Sequence, residues 1–577
     1  MSEPNRVVIA RMSSDLAAIS AYLNRVATDL GELGRMLDQT PVPTAPPAPV
    51  RAVAVRPPAP VPPPDRSEGW IGKALAAVGV TVTLTGVVLL LVLAAQAGIL
   101  RPEFRVAAGT VLAAGLVGAG WALHRRPGGR TGAIALAATG IAAAYMDVIA
   151  VTSIYHWVPA PMGLALAAAV GGAGLMLARR WNAQNLALLV LVPLIALAPA
   201  ITDGVTLLLV GFMLALSAAA LPVPWGRDWL WLHAARTVAA TWPLMVALVA
   251  TAVGGRDDLL LALACAVAAV LALGGGLLLL RWSTRPAATA VWTAGGVLPL
   301  LCVSAAVDRV IAALMIAALA AALVAIVALG DRLPGVSAAV RHVWSVLAAV
   351  AALIAVLVAF DGQVSGPVVL AMATVVAIGG RHDGVTRWIA VGLTAVGGVI
   401  YLDSAGPEKL IEATRLSGGH MVSVLLGSLL VIAAVAALGW AFSKGEWADR
   451  DVIRLAWAAA AVVAGYAVTV FTVTAGVAIG GVEAGFFGGH MAATICWIAA
   501  AAGLLGYAAR QPRTQRSLLI GGGMTLVAAA TAKLFLFDLG TLDGMFRVAV
   551  FIVVGLALLG MGAGYARLLS QQDQDVV

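Results

Sequence analysis

Apolar residues in this chain come in long unbroken runs, and polar residues are confined to the short stretches between them. Runs of about 20 apolar residues match the hydrocarbon thickness of a bilayer at the helical rise. About eighteen are legible, at residues 71–97, 105–123, 131–154, 159–178, 184–201, 204–222, 232–253, 258–280, 286–305, 309–329, 338–360, 364–380, 386–402, 419–442, 452–475, 489–509, 516–537 and 545–568. Every second connection is basic, from Arg125, Arg126 and Arg130 through Arg179 and Arg180, Arg281 and Arg285, and Arg381 and Arg387 to Arg510, Arg513 and Arg516. That alternation is the positive-inside pattern of a multi-pass membrane protein. With the N-terminus in the cytoplasm, 22 of the 36 Lys and Arg residues fall on cytoplasmic connections, 8 on outer ones and 6 before the first span. Gaining or losing one span would swap these classes downstream and erase the bias. An even number of spans in the cell membrane, with both termini cytoplasmic, follows.

The segment before the first run reads differently. Ile9, Met12, Leu16, Ile19, Leu23, Val26, Leu30, Leu33 and Leu37 recur in alternating steps of three and four, the seam of a coiled coil. Self-association into a homo-oligomer through residues 9–37 is expected, the alternative being a helix lying on the membrane surface. From Pro41 to Pro64 the chain is dense in proline, which no helix survives and which makes a stiff extended spacer. The expected order is a cytoplasmic coiled coil over 1–40, a proline-rich linker over 41–66, a transmembrane domain over 67–570 and a cytoplasmic tail over 571–577.

Composition supports the same frame. The 577 residues are 61% hydrophobic and 11% charged, with a mean hydropathy of +0.98, whereas a water-soluble domain clothes itself with about 25% charged residues. The fold class is therefore all-α, a polytopic helix bundle carrying an N-terminal coiled coil. The net charge of +8 is spread over loop pairs rather than gathered in one patch, so membrane lipids and not nucleic acid are the expected partners. Trp70, Trp157, Trp181, Trp225, Trp282, Trp388 and Trp447 fall near span ends, as an interfacial belt requires. Cys265, Cys302 and Cys496 lie far apart inside apolar runs, without metal-ligand spacing or a disulfide framework.

Trp70-Ile71-Gly72-Lys73 opens the first run, and Arg101-Pro102-Glu103-Phe104-Arg105-Val106 precedes the second. Gly140, Tyr145 and Tyr155 mark the third, and Pro193 and Pro199 a later one. Near the end the chain carries Lys533, Asp538, Asp543 and Arg547 about a glycine turn, then a glycine-bearing span to Tyr565. Together these features resemble a bacterial polytopic membrane family, domain of unknown function 2339. The resemblance covers both ends and the coiled-coil, linker and multi-span layout. It implies a multi-pass membrane fold and supplies no activity, cofactor or metal.

Three groups carry candidate chemistry. Lys533, Asp538, Asp543 and Arg547 span the outer end of one helix, a turn around Gly540 and Gly544, and the start of the last helix. They are candidate substrate-binding groups, with Asp538 a candidate catalytic carboxylate; the bland reading is snorkelling and structural ion pairing. Gly418-Gly419-His420-Met421 and Gly488-Gly489-His490-Met491 are identical, each at the outer start of a span, in a chain with only seven histidines. A duplicated helical hairpin explains the repetition. His420 and His490, with Glu483 and His156 near the same mouth, are candidate acid–base groups, against the bland reading of wetted glycine-rich loops. Asp147 lies inside the third span, where an acid marks a pathway, a relay or a buried partner, unless water reaches it.

No Walker loop, serine-nucleophile elbow or zincin helix is present. The longest outer connection, around Glu408–Glu412, is expected as a short amphipathic surface helix. Three functions suit this pattern: transport or flipping of a lipid-linked or amphipathic cell-envelope compound, which fits the intramembrane acid and helix-breaking residues best; a membrane-embedded glycosyl- or acyltransferase with an outer-face site; and a scaffold recruited through the coiled coil. No cofactor is expected for any of them.

Overall fold

The computed structural model describes residues 101–254, 257–360, 362–442, 450–511, 516–539 and 544–574. The coiled-coil seam, the proline linker, the first apolar run and Asp543 lie outside the described residues. The helices that follow are α1 (Pro102–His124), α2 (Arg130–Ile149), α3 (Ala160–Arg180), α4 (Gln184–Ile201), α5 (Leu207–Ala219), α6 (Leu230–Gly254), α7 (Leu259–Leu280), α8 (Pro286–Gly296) and α9 (Arg309–Ala328). After them come α10 (Ala338–Ala359), α11 (Gly362–Gly379), α12 (Gly384–Ser404), α13 (Gly418–Phe442), α14 (Arg450–Gly480), α15 (Phe486–Ala509), α16 (Arg516–Lys533) and α17 (Gly544–Gln574). Each of the apolar runs from 105 onward meets one of these helices. Among the described residues there is no strand.

Among the described residues, twelve helical segments are long and apolar enough to cross a membrane. The last of them, Leu455–Ala508, holds α14 and α15, which turn back on one another at Gly481, where φ is +79°. Neighbours in sequence pack as neighbours in space, and the buried side chains fall into successive cores. Tyr145, Leu186, Leu194 and Leu232 belong to the core of α2–α6, and Leu244, Cys265, Ile316 and Trp344 to that of α5–α10. Leu370, Tyr401, Val424 and Val470 join α11–α14, while Ile498, Ala530 and Val550 join α15–α17. Alanine recurs throughout these cores between larger aliphatic residues, and Leu314, Val375, Val399 and Leu556 point outward. Small residues at the helix contacts let backbones approach closely, and aliphatic side chains left on the outside suit a lipid surround.

Two expected spans depart from a single helix. The run 204–222 is helical only over α5, which starts at the Thr206 cap. The run 286–305 breaks into α8, a one-turn helix Leu298–Leu301 and a 3₁₀ turn Val303–Ala305. Gly295 and Gly296 weaken the ladder there, and Pro299 has no N–H with which to continue it. The expected surface helix at 408–412 is a 3₁₀ turn, Pro407–Leu410, because Pro407 starts a turn that nothing downstream prolongs.

Both faces of the bundle are marked. On the arginine-bearing face, Arg125 lies over Trp121 at 5.8 Å, Arg227 over Trp229 at 5.1 Å, Arg281 over Trp282 at 5.0 Å and Arg381 over Trp440 at 4.8 Å. Such stacking holds a cation and an amphipathic ring at one depth, as a headgroup interface favours. On the opposite face, three π-turns end the helices that rise from the arginines: Ala150–Ile154 after α2, Gly481–Gly485 after α14 and Leu534–Asp538 after α16.

The repeated Gly-Gly-His-Met sequences sit in different surroundings. A Cβ on Gly489 would lie 2.6 Å from Val473 Cα and 2.7 Å from Thr472 O, so α14 and α15 meet backbone to backbone there. A Cβ on Gly419 would meet nothing nearer than Gln363 Oε1 at 4.0 Å. Gly489→Ala is therefore expected to destabilise by about 1–3 kcal/mol through overpacking, and Gly419→Ala to be neutral or slightly stabilising. Melting temperatures of the two variants in the same detergent measure the difference; equal effects would contradict the close approach.

Candidate functional site

On the face opposite the arginines, residues 405–417 connect α12 to α13. The last carbonyls of α12 would otherwise be unsatisfied, and they carry the negative end of the helix dipole. The Lys409 ammonium folds back to donate to the Ser404 carbonyl, and His420 Nε2 lies 3.0 Å from the same oxygen. A carbonyl can only accept, so Nε2 carries the imidazole proton. The 3.4 Å approach of Lys409 Nζ to Nε2 is then two donors converging on one acceptor. Tyr466 of α14 donates to the next carbonyl, that of Ala405. Tyr401 donates to Ser428 at 2.7 Å, because the Ser428 proton is committed to Val424 O at 2.8 Å.

Between this connection, α13 and α14 lies a cavity of about 320 Å³. Leu416, Met421, Val424, Val470, Val473 and Val477 make an apolar wall, and Lys409, Thr414 and Arg415 supply polar groups. Two cations and no carboxylate line it. The combination of a greasy wall and a positive rim suits an amphiphile with an anionic head.

A second cluster stands behind the connection. Lys533 Nζ donates to Asp538 Oδ1 at 2.6 Å, Thr494 Oγ1 at 2.8 Å and His490 O at 3.3 Å. Thr494 Oγ1 in turn lies 2.6 Å from Asp538 Oδ2, the shorter and charge-assisted choice for its one proton over His490 O at 3.2 Å. Asp538 is completely buried and the Lys533 side chain is 12% exposed. The pair is five residues apart, a spacing that an α-helix places on different faces. The π-turn Leu534–Asp538 widens that turn so that residues i and i+5 meet.

His490 joins the two clusters. Its imidazole is buried, lies edge-on to Phe486 at 4.6 Å and faces the Leu410 backbone. Both histidines thus bear on the same short connection, His420 at Ser404 and Lys409, His490 at Leu410. Their surroundings differ: His420 is half-buried and His490 is sealed in.

The other candidates are dispersed. Asp147 sits between α1 and α2, where Thr110 donates to it at 3.2 Å; a Cβ on Gly109 would collide with its carboxylate. None of these partners belongs to α13, α15 or α16. Arg547 is half-buried near the start of α17. His156 is exposed after the first π-turn, and Glu483 is exposed within the second. Sequence reasoning missed Thr494, which no motif flags. It also missed His233 and Arg236, whose i,i+3 spacing inside an apolar run was the available signal.

An all-helical chain with an apolar exterior and arginine–tryptophan stacking at one face is a multi-pass membrane protein. The chain belongs to the family described as predicted membrane protein (DUF2339), whose model matches residues 72–401 and 387–568. No curated protein and no solved structure matches it.

The buried pair predicts an asymmetry. Removing one partner strands the other charge, so Lys533→Met or Asp538→Leu alone should each cost about 3–5 kcal/mol, and the double variant considerably less than their sum. Melting of the three variants in one nanodisc preparation measures the coupling, and strict additivity would contradict it.

Proposed function

We propose that this chain binds, and moves across the cell membrane, an anionic amphiphile of the lipid-linked envelope type. The arginine-bearing face is cytoplasmic, and the 320 Å³ cavity receives the head of the compound on the outer side. The observation that carries this reading is the lining of that cavity, with Lys409 and Arg415 opposite an apolar wall from α13 and α14. In this reading His420 sets the position of Lys409. His490, Lys533 and Asp538 act as a buried brace beneath the loop rather than as groups that touch the compound. The π-turns and the break after α8 provide backbone that can bend while its polar groups find new partners.

The same geometry weighs against a transferase using Asp538 as general base. Both carboxylate oxygens already receive protons, from Lys533 and Thr494, with no exposure left for an acceptor hydroxyl.

Native mass spectrometry of the protein purified in nanodiscs tests the proposal, comparing wild type with a Lys409→Ala/Arg415→Ala variant. A specific anionic or prenyl-linked lipid retained by the wild type is expected, bound about tenfold or more weakly once each cation is removed. The same bulk phospholipid in both would overturn it. Asp147→Asn is expected to reduce flux of that lipid in proteoliposomes without changing its binding at the cavity.

A further inference from the structure

Arg236 lies in the second turn of α6, within a membrane-crossing helix, with only 1% of its surface exposed. Its Nη2 donates to His233 Nδ1 at 3.0 Å, and Nη1 reaches Ser217 O at 3.5 Å, a long contact. Since Nδ1 accepts, the His233 ring donates from Nε2 to Thr293 Oγ1 at 3.2 Å, and Thr293 passes its own proton to Thr289 O at 2.8 Å. This chain of hydrogen bonds is neutral throughout and returns no negative charge to the guanidinium. Among the described residues no carboxylate pairs with Arg236, and its buried Nε has no partner.

A glycine and a small cavity lie beside this cation. A Cβ on Gly275 of α7 would stand 2.2 Å from Nη2, so the guanidinium packs directly against the space this glycine leaves. Beside it is a small cavity of about 10 Å³ lined by α5, α6, α7 and α8, with Ser217, Arg236 and Thr237 on its polar side and Ala240, Ala268 and Gly296 among its apolar walls. That size holds one water or one monatomic ion. A water would satisfy the Nε–H but leave the charge uncompensated in a medium where an isolated ion costs several kcal/mol.

We infer that this cavity is a binding site for a monatomic halide, chloride in a cell, held by Arg236 Nε–H within the α5–α8 core. The anion neutralises the guanidinium and couples four helices, including the broken α8, around one charge. Nothing in this site touches the outer cavity, so it stands independently of the transport reading.

The test is thermal unfolding of the full chain in nanodiscs, in sodium chloride, sodium bromide and sodium gluconate at equal ionic strength. A melting temperature that rises with halide and saturates is expected for the wild type, and loss of that response for Arg236→Gln. Equal melting of the wild type in chloride and gluconate would overturn the inference. An undiminished halide response in Arg236→Gln would do so too, since it would be a general salt effect. Should Arg236→Gln fail to fold, Ala268→Val keeps the charge and fills the cavity. It is expected to lose the halide response, and retention would count against the site.

Discussion

Inside a bilayer no water receives a polar group, and an unsatisfied one costs several kcal/mol. Most polar choices in this chain follow from that constraint. Thr374, Thr394, Thr469 and Thr472 each donate to the carbonyl four residues back, spending their hydroxyls on their own helix. Tyr145 reaches Val190 O on a neighbouring helix at 3.1 Å, and Ser153 reaches Ala200 O at 2.7 Å. Side chains so committed have little left for a ligand. Among the described residues, the Lys409 loop, the Lys533–Asp538 pair, Asp147 and Arg236 break the habit, and the functional arguments rest on them for that reason.

How much was legible in the sequence depended on which force wrote it. Apolar runs report bilayer thickness, which acts on each span separately, so one pass along the chain predicts the helices well. The break after Gly296 and the shortness of α5 depend on glycine, proline and a threonine cap that are individually common. The site was half legible. Lys533, Asp538, His420 and His490 stood out by rarity or repetition, but their partners did not. Thr494 sits on another helix from Lys533, and Lys409 meets His420 only because Pro407 turns the chain back. Contacts between helices leave no mark on a single sequence.

The two identical tetrapeptides show the same limit from another side. Repetition pointed to equal depth on one face, and both helices do begin on that face. Equal chemistry did not follow. Gly489 is needed where two backbones touch, and Gly419 has open space; one histidine is sealed beneath a loop and the other stands at its edge. Identical residues were given different work by the helices beside them.

The π-turn between Lys533 and Asp538 has a consequence for how this membrane segment can change length. A π-turn holds one residue more than the α-helical turn it replaces. Deleting a single residue between the two charges would return the segment to ordinary helix and place the lysine and carboxylate four apart, still on one face. The ion pair would survive, and the chain beyond it would keep its rotational phase relative to what precedes it. The segment therefore works as a register absorber: one residue can be lost there without parting the buried charges or re-aiming the chain that follows.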